Sequence, residues 1–397
     1  MADVAVVGAG LIGVGIAYEL AKRGAAVTVY DRDEPARAAS WAGAGMLAPF
    51  SEATADPDLL ALCRRSLAAY PAFVADLHAC SGVDVRLRFD GTLHAARDEA
   101  DLARLGIAAS TTRANGGDAV LLDRAEVLAR EPFLAKGVAG GLFVANEGQV
   151  DNRRLGRALV GAARARGVRF ERVAHLALAC DARRVRGLRT PQGFAAASTV
   201  VNAAGAWAGQ LEGVPEHARV AVRPVAGEML AIALPVGAIH ALVWLGHRYL
   251  VPRDDARLLV GATVVERGFD ARVTAAGVHD LLDAALAVAP ALASFAIVET
   301  WAGLRPATPD GRPYIGSTAL EGYVVASGHY RNGILLAPET ARLIAELIVT
   351  GQAPESLAAF SPRRPTAAAF GEAANAKDPA SANSLREGVA ATANPVE

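Results

Sequence analysis

The chain has 397 residues, enough for two or three domains of ordinary size. Its 40 basic and 41 acidic residues leave a formal net charge of −1, which excludes strong electrostatic attraction to nucleic acid or an anionic membrane. The basic residues include only three lysines, Lys22, Lys136 and Lys377, so Schiff-base chemistry has almost no candidate. We therefore expect a small-molecule partner, no nucleic acid and no membrane.

The three cysteines, Cys63, Cys80 and Cys180, are odd in number and lack metal-ligand spacing. These features argue against a disulfide framework and structural zinc, so we predict no metal site.

A glycine cluster follows the first seven residues, and we expect no signal peptide. The long uncharged run over residues 229–246 is interrupted by proline and glycine, which argues against a transmembrane helix. A cytoplasmic location is the expectation.

The N-terminal segment has the pattern of strand, helix and second strand. An apolar run over residues 3–7 predicts a buried parallel strand, and a second run over residues 26–30 predicts its neighbour. Between them stands Gly8-Ala9-Gly10-Leu11-Ile12-Gly13, whose glycines allow a pyrophosphate to approach a helix N-terminus. Asp31 follows Gly13 by 18 residues, where a carboxylate can bind ribose hydroxyls. This pattern predicts dinucleotide binding without distinguishing FAD from NAD.

Further apolar segments predict additional strands. Residues 168–178, 183–190 and 194–201 predict a meander that ends in a second strand-to-glycine turn at Gly205. A meander within a dinucleotide fold is associated with FAD-binding domains. The next strands are predicted over residues 219–234, 243–252 and 257–265, followed by a helix capped by Thr274.

Three motifs carry a specific resemblance. Small residues crowd residues 39–49, a Trp-Ala-Gly-Leu-Arg-Pro motif at residues 301–306 precedes Pro-Asp-Gly-Arg-Pro-Tyr-Ile-Gly at residues 309–316, and Gly-His-Tyr-Arg-Asn-Gly begins at Gly328. With these motifs the chain resembles the D-amino-acid oxidase superfamily of flavoproteins, and within it the glycine oxidases of thiamine biosynthesis (ThiO type). The resemblance extends over residues 2–352.

The resemblance implies a fold of mixed α/β and α+β character. A Rossmann-like FAD-binding domain would be interleaved with a substrate domain built on an antiparallel sheet. The implied FAD-binding domain comprises residues 1–80, 145–215 and 300–355, and the substrate domain comprises residues 81–144 and 216–299. Residues 362–397 are poor in large apolar side chains, so we predict a disordered tail there.

The resemblance also implies noncovalent FAD. The residues it assigns to this cofactor are Gly8, Gly10, Leu11, Ile12, Gly13, Asp31, Arg32, Ala39, Ser40, Ala44, Gly45, Met46, Val173, Gly205, His329, Tyr330, Arg331, Asn332, Gly333, Ile334 and Leu335. Ala44 stands where many family members have glycine, a change small enough to leave room for the flavin ring. His329 is expected to position backbone and not to transfer a proton.

Three residues are candidates for the catalytic site. The resemblance assigns the substrate carboxylate to Arg305, whose planar fork matches a carboxylate; the alternative is an exposed loop arginine. Tyr249 falls in a strand where the family has a substrate-binding tyrosine, and the alternative is a core tyrosine. Arg331, next to the last predicted helix, would favour negative charge on the flavin and border the substrate. A structural ion pair is the alternative for Arg331.

The implied substrates are glycine, sarcosine, D-alanine and D-proline. In the family a hydride passes from the α-carbon of the neutral amine to flavin N5, and the imine hydrolyses in water. Oxygen then reoxidises the flavin and is released as hydrogen peroxide. Alignment by Arg305 and Tyr249 would supply much of the rate without a catalytic base. Relatives form homo-oligomers, and we expect the same here.

Three other interpretations compete with this one. Sarcosine-oxidase-like enzymes tether the flavin through a late cysteine and use a lysine near it. The chain has no cysteine after Cys180 and no lysine between Lys136 and Lys377, which argues against that class. A D-amino-acid dehydrogenase that passes electrons to a quinone, and a non-catalytic flavin-binding subunit, both remain open.

Overall fold

The computed structural model describes residues 4–52 and 56–365. Within these residues the helices are α1 Leu11–Lys22, α2 Ala38–Ala42, α3 Pro49–Glu52, α4 Pro57–Ser81, α5 Glu99–Ala114, α6 Arg124–Arg130, α7 Asn152–Ala165, α8 Ala275–Val288 and α9 Ala337–Thr350. The strands of the first half are β1 Val4–Val7, β2 Val27–Asp31, β3 Met46–Leu47, β4 Thr92–Ala96, β5 Ala119–Asp123, β6 Gly140–Val144, β7 Gly148–Gln149, β8 Arg169–Arg172, β9 Ala177–Cys180, β10 Val185–Thr190, β11 Gly193–Ala196 and β12 Thr199–Asn202. Those of the second half are β13 Arg223–Ala233, β14 Leu242–Leu245, β15 Arg248–Pro252, β16 Arg257–Gly261, β17 Ile297–Ala307, β18 Tyr314–Ser317 and β19 Tyr323–Ser327.

A six-stranded sheet forms the first layer, in the order β18-β19-β12-β1-β2-β8. Its strands pair in parallel except for β18, which is antiparallel to β19. Side chains alternate along β1, because successive residues of a strand point to opposite faces. Val4 and Val6 join the core formed with the helices, and Ala5 and Val7 join the core on the other face. Burial on both faces explains why the first strand is a continuous apolar run.

The two faces of this sheet are covered differently. Helix α1 packs against α7 and α9, and α4 packs against the same two helices. The opposite face carries a three-stranded sheet in the order β11-β10-β9, whose Leu178, Val185 and Leu188 share a core with Val200 and Val325 of the parallel sheet.

The predicted meander is corrected in two places. The segment 168–178 forms β8 in the parallel sheet and β9 in the three-stranded sheet, and the segment 194–201 divides into β11 and β12. Each segment leaves one sheet and enters the other, and the residues between the paired strands make that change of direction. The apolar pattern continues through the break, so pattern alone predicted longer strands.

An eight-stranded sheet forms the second layer, in the order β17-β13-β16-β15-β14-β4-β6-β5. All its pairs are antiparallel except β14 with β4. On β15, Leu250 packs toward the core that contains Leu281 of α8, whereas Tyr249 and Val251 belong to a separate cluster on the other face. The structure thus confirms the predicted combination of a parallel dinucleotide-type sheet with a largely antiparallel one.

The second layer contains one further correction. Residues 243–252 form a hairpin of β14 and β15 around Gly246, whose φ of 57° lies in the left-handed region, and not a single strand. The predicted cap of α8 is confirmed, because Thr274 Oγ1 accepts a hydrogen bond from Gly277 N–H at 3.0 Å.

Two further sequence predictions concern a transmembrane helix and the C-terminal tail. Across the described residues, no helix combines the length and apolar character needed to cross a membrane. The tail predicted over residues 362–397 lies outside the described residues except for its first four positions.

Candidate active site

The predicted nucleotide-binding residues meet at one edge of the parallel sheet. Gly8 follows β1, Asp31 ends β2, Val173 follows β8, and Gly205 comes shortly after β12. His329 follows β19. The carboxyl ends of parallel strands meet at one edge, and ligands of open α/β sheets bind there.

The glycine turn after β1 is shaped by two close approaches. Gly8 has a φ of 103°, and a Cβ on it would overlap the carbonyl of Ala203. The Asp31 carboxylate lies against this turn: Oδ2 accepts a hydrogen bond from Ala9 N–H at 2.6 Å, and Oδ1 accepts one from Asp33 N–H at 2.9 Å. Asp31 therefore holds the turn as well as lining the space beside it.

The site consists of two adjoining cavities. The nucleotide cavity, about 300 Å³, lies around the glycine turn and the end of β2, and the inner cavity, about 140 Å³, lies under the eight-stranded sheet. Their walls share Leu11, Ile12, Ala39, Ser40 and Pro306. The result is one elongated space, with Asp31 at one end and Tyr249, Arg305 and Arg331 at the other.

Most of the predicted cofactor residues line this space. Those at the nucleotide cavity are Gly8, Gly10, Leu11, Ile12, Asp31, Arg32, Ala39, Ser40, Val173, Gly205 and His329. Those at the inner cavity include Ala44, Gly45, Met46, Tyr330, Arg331, Asn332, Gly333 and Ile334. The Val173 N–H donates to Asp31 O at 2.8 Å, which continues the pairing of β8 with β2 to the edge of the nucleotide cavity.

Two of the predicted cofactor residues, Gly13 and Leu335, line neither cavity. Gly13 lies inside α1, where a Cβ would overlap the carbonyl of Gly8, so its role is to let the helix approach the first strand. Leu335 is 2% exposed within the core, and its carbonyl accepts a hydrogen bond from Ser66 Oγ at 2.6 Å.

Replacing Asp31 by alanine is expected to weaken FAD retention about tenfold or more. The change removes a charged acceptor from the nucleotide cavity and leaves Ala9 N–H without its partner, and a hydrogen bond to a charged group contributes about 1.5–3 kcal/mol. The measurement is titration of the apoprotein with FAD. The FAD affinity of Asp31→Asn, which keeps an acceptor, should lie between those of the wild type and Asp31→Ala. Equal FAD affinity in all three proteins would refute the role of Asp31 in holding FAD.

The backbone between the two cavities is held by side chains from distant elements. Asn152 donates to Ser40 O at 2.9 Å and to Trp41 O at 3.0 Å, and Trp301 Nε1 donates to Ala42 O at 2.9 Å. Arg253 Nη2 donates to Ala44 O at 2.8 Å and to Asn152 Oδ1 at 3.0 Å. Four carbonyl oxygens of residues 40–44 therefore accept hydrogen bonds from side chains of other elements.

Arg253 is a buried cation with four acceptors. Besides Ala44 and Asn152, its Nη1 donates to Gln149 Oε1 at 2.8 Å and to Val150 O at 2.9 Å. Burial lowers its pKa to about 10, and the charge of Asp151 opposes that shift, so the guanidinium stays charged at neutral pH. Arg253 begins the β15–β16 turn, and it thereby ties the hairpin that carries Tyr249 to the segment that lines the inner cavity.

Arg305 reaches the inner cavity from the end of β17. Its Nη1 donates to Ala226 O at 3.3 Å and to Thr263 O at 3.1 Å. Among the described residues no hydrogen bond is made by its Nε or Nη2, which together form one edge of the guanidinium fork. Gly227 on the neighbouring strand β13 leaves room for this guanidinium, because a Cβ on Gly227 would lie 2.5 Å from Cζ of Arg305. The arrangement leaves a two-pronged donor for a carboxylate.

Gly227→Ala is expected to displace Arg305 and to raise KM for an amino-acid substrate about tenfold or more, with FAD still bound. The added methyl would occupy the position of the guanidinium, and misplacing a substrate-positioning group by about 1 Å can cost on the order of 100-fold. Steady-state kinetics check this. Gly137→Ala is the matched control, because a Cβ there meets nothing within 4 Å. An unchanged KM in Gly227→Ala would be the contrary result.

Tyr249 and Arg331 also line the inner cavity. Tyr249 is 5% exposed, and a Cβ on Gly261 would lie 2.8 Å from its hydroxyl oxygen, so a second strand glycine accommodates it. Arg331 lies over the Tyr249 ring, with 5.9 Å between Cζ and the ring centroid. The three predicted catalytic residues thus surround one small space.

Arg331 is paired with an acid that the sequence analysis did not identify. Its Nε donates to Glu52 Oε2 at 2.7 Å and its Nη2 to Glu52 Oε1 at 3.2 Å. Burial alone would lower the pKa of Arg331, but the charge and hydrogen bonds of Glu52 raise it above its ordinary value. The ion pair considered as an alternative is therefore present, and Arg331 still borders the cavity. Glu52 lies three residues after the small-residue motif of residues 39–49, and this proximity was its only signal in the sequence.

His329 is neutral in this environment. Burial lowers its pKa to about 3, and its Nε2 lies 3.2 Å from Thr340 Oγ1 on α9. A ring with this pKa carries no proton to transfer near neutral pH, which agrees with the expectation of a positioning role.

Comparisons with known proteins agree with this geometry. The profile of the family described as FAD dependent oxidoreductase (DAO) matches residues 3–347. The glycine oxidase of Geobacillus kaustophilus is 37% identical over 363 residues, which cover 90% of this chain and 96% of that protein. The crystal structure of glycine oxidase from Geobacillus kaustophilus has a TM-score of 0.87 to this chain at 36% identity, covering 92% of this chain and 100% of the other.

A longer relative is similar over part of its length. The bifunctional protein ThiO/ThiG of Synechocystis is 37% identical over 370 residues, which cover 91% of this chain and 54% of that protein. The chain thus spans about half the length of this relative.

The chain belongs to the family of FAD dependent oxidoreductases, and FAD fits the residues present. The glycine turn lines the nucleotide cavity at the N-terminus of α1, where a Cβ on Gly10 would come within 3.3 Å of Ser40 Oγ, and Asp31 places a carboxylate at the nucleotide end. The other end is walled by small side chains and backbone, among them Ala44 and Gly45. This shape accommodates an extended dinucleotide with a flat ring in the inner cavity.

Proposed function

We propose that this chain is an FAD-dependent oxidase of glycine and other small amines, including sarcosine, D-alanine and D-proline, that acts in thiamine biosynthesis. The observation that carries the proposal is Arg305, which lines the inner cavity and whose Nε and Nη2 make no hydrogen bond to any residue that the structure describes. A carboxylate is the group that such a fork binds best. The named relatives, glycine oxidases and ThiO/ThiG proteins, support this choice.

The substrate would be held by its carboxylate. Arg305 would donate two hydrogen bonds to it, and Tyr249 would add its hydroxyl from the strand above the cavity. Fixing these atoms leaves one orientation for the α-carbon, and orientation of this kind contributes much of the rate of a bimolecular step. The inner cavity would also hold the flavin ring, so the space left beside Arg305 and Tyr249 favours small side chains on the substrate.

The rest of the site lets this chemistry proceed without a general base from the protein. When bound, FAD supplies the two-electron acceptor, which takes a hydride from the α-carbon and passes the electrons to O2 to give hydrogen peroxide. The amine loses two electrons and two hydrogens in all and becomes an imine, which water hydrolyses. Glu52 is held in an ion pair with Arg331, and burial lowers the pKa of His329 to about 3, so the ring of His329 is a weak base.

The residues proposed to hold FAD divide between the two cavities. Asp31 would accept from the ribose and the glycine turn would face the pyrophosphate, at the N-terminus of α1. Ala44, Gly45 and Met46 would contact the flavin ring in the inner cavity, across from the segment that begins at Tyr330. We propose noncovalent attachment.

The interleaved domain arrangement is part of the same proposal. The strands of the parallel sheet come from residues 4–31, 169–202 and 314–327, which supports an FAD-binding domain assembled from separate stretches. The strands of the eight-stranded sheet come from residues 92–144 and 223–307. Because β17 continues past residue 300, we place the last boundary after Ala307 instead.

Location and assembly complete the proposal. The three free cysteines fit a reducing compartment, so we propose that the chain acts in the cytoplasm. The resemblance to homo-oligomeric relatives supports a homo-oligomer, which light scattering of the purified protein would test.

An oxygen-electrode assay tests the activity. The yellow protein is expected to consume O2 and release an equal amount of hydrogen peroxide with glycine, and to respond to sarcosine, D-alanine and D-proline. A dehydrogenase would instead reduce an added dye without consuming O2. Dye reduction alone, or no reaction with any of the four amines, would contradict the proposal.

A further inference from the structure

Glu147 is a buried carboxylate outside both cavities. It follows β6, its side chain is completely inaccessible, and no cation lies within ion-pair distance of it in the described part of the chain. Its Oε1 accepts hydrogen bonds from Phe50 N–H at 2.7 Å and from Ser51 N–H at 2.9 Å. Its Oε2 accepts one from Ser51 Oγ at 2.6 Å. All three donors belong to the single turn of α3, so this carboxylate fastens that turn to the sheet.

The hydrogen bonds continue from Ser51 to a histidine. The Ser51 hydroxyl has one proton, which it donates to Glu147, so His94 Nε2 must donate in its 2.8 Å contact with Ser51 Oγ. Burial lowers the pKa of His94 to about 4, and the ring is therefore neutral with its proton on Nε2. The same ring stacks on Trp244, with 5.8 Å between centroids and 18° between planes.

Ser51 and His94 are each adjacent to a residue that contacts Arg331. Glu52, the residue after Ser51, makes the two-pronged ion pair with Arg331, and its side chain is 7% exposed. Trp244, the ring on which His94 stacks, has the Arg331 guanidinium carbon 5.7 Å from its centroid. The carboxylate of Glu147 thus supports the acid and the aromatic surface that together locate the guanidinium.

We propose that Glu147 is a positioning residue that sets Arg331 in the inner cavity by anchoring α3 and the Ser51–His94 pair. The effect of Glu147 on substrate binding rests on the proposed function. Its effect on α3 rests on the contacts alone. It goes beyond the residues that line the cavity, since Glu147 touches neither substrate nor cofactor space.

The anchoring depends on the charge of Glu147. Burial raises its pKa to about 7, against the opposing effect of the hydrogen bonds from Ser51. The ionised carboxylate accepts from all three donors, whereas protonation places a hydrogen on one oxygen and forces Ser51 to reorient. The other titratable groups of the cluster are His94, neutral above about pH 4, and Glu52, paired with Arg331. The anchor is therefore strongest above about pH 7 and weakens as the pH falls through that value, because a protonated carboxyl keeps its backbone donors only through uncharged hydrogen bonds.

Kinetics of Glu147→Gln test the proposal. The wild-type KM for glycine is expected to rise about fivefold to tenfold as the pH falls through about 7, with kcat changing less than twofold. The glutamine variant, which cannot ionise, should show the raised KM on both sides of pH 7, with no change near that value beyond the titration of the substrate amine, which both proteins share. If Glu147→Gln had the KM of the wild type and the same dependence of KM on pH, the proposal would be overturned.

Glu131→Gln is the matched control. Glu131 is 2% exposed and accepts backbone hydrogen bonds from His240 and Ala241, and burial raises its pKa as well, but it lies away from both cavities. This variant should lose some stability and keep the wild-type KM profile. An equal change of KM in both variants would show a general structural effect and overturn the positioning role.

Hydrogen exchange of the purified full chain, which measures the α3 amides directly, separates this inference from the proposed function. Backbone amides of residues 50–52 should exchange about tenfold faster in Glu147→Gln than in the wild type at the same pH above 7, and not in Glu131→Gln. Equal exchange would overturn the anchoring whether or not any amine is oxidised. Failure of all four amines as substrates with altered exchange would reject the proposed function and leave the anchoring standing.

Discussion

Arg305→Ala is expected to raise KM for glycine about 100-fold to 1000-fold while FAD stays bound. The variant removes the two donors on Nε and Nη2 that the structure leaves for a carboxylate. Each such bond to a charged group contributes about 1.5–3 kcal/mol, and about 1.4 kcal/mol corresponds to tenfold in affinity. Because an unanchored substrate also loses its orientation, kcat should fall too. Steady-state kinetics and the visible spectrum of the bound flavin measure both.

Two companion variants sharpen this test. Arg305→Lys keeps the charge but lacks the fork, so it should recover only part of the affinity. Arg248→Ala is the control, because Arg248 lies beside Tyr249 in sequence but pairs with Asp280 of α8 on the opposite side of the sheet. If Arg305→Ala retained the wild-type KM, or if Arg248→Ala matched its loss, the assignment of the carboxylate site would be wrong.

Arg253→Met is expected to cost the protein both stability and FAD. The change leaves the carbonyls of Ala44 and Val150 and the side-chain oxygens of Gln149 and Asn152 without their donor in a buried place. Unsatisfied buried groups cost about 1–3 kcal/mol each, so a loss of about 3 kcal/mol or more in the free energy of unfolding is expected. Urea unfolding and FAD titration of the refolded apoprotein measure the two effects.

The control for Arg253→Met is Arg86→Met. Arg86 is an exposed arginine of a neighbouring loop that pairs with Asp84 and Asp254, and exposed ion pairs contribute about 0–1 kcal/mol. Its loss should leave FAD affinity unchanged. An Arg253→Met protein with the stability and FAD affinity of the Arg86→Met protein would contradict the view that this guanidinium holds the cavity wall.

Local pattern was sufficient to predict the nucleotide-binding end of the fold. The apolar run before Gly8, the glycine turn and the acid at Asp31 are encoded within about thirty consecutive residues, and they appear as β1, α1 and β2. Strand boundaries were less predictable wherever an apolar run passes from one sheet to another, as between β8 and β9. The break there is imposed by tertiary pairing, which hydrophobic periodicity does not report.

The inner cavity shows the same division between local and distant information. Tyr249 and Arg305 were predicted because the motifs around them resemble those of the family, and both line the cavity. Glu52, Arg253 and Gly227 were not predicted, since their importance comes from partners between 78 and 279 positions away in sequence. A glycine inside a strand is the one local sign that a bulky group approaches the backbone there.

Anaerobic mixing of the FAD-loaded protein with glycine tests the central claim most directly. If Arg305 and Tyr249 hold a small amino acid with its α-carbon toward the flavin, glycine alone should bleach the yellow colour without oxygen, and air should restore it. The Arg305→Ala protein should bleach only at much higher glycine concentrations. A flavin that stays oxidised with glycine, sarcosine, D-alanine and D-proline, yet bleaches with dithionite, would contradict the account.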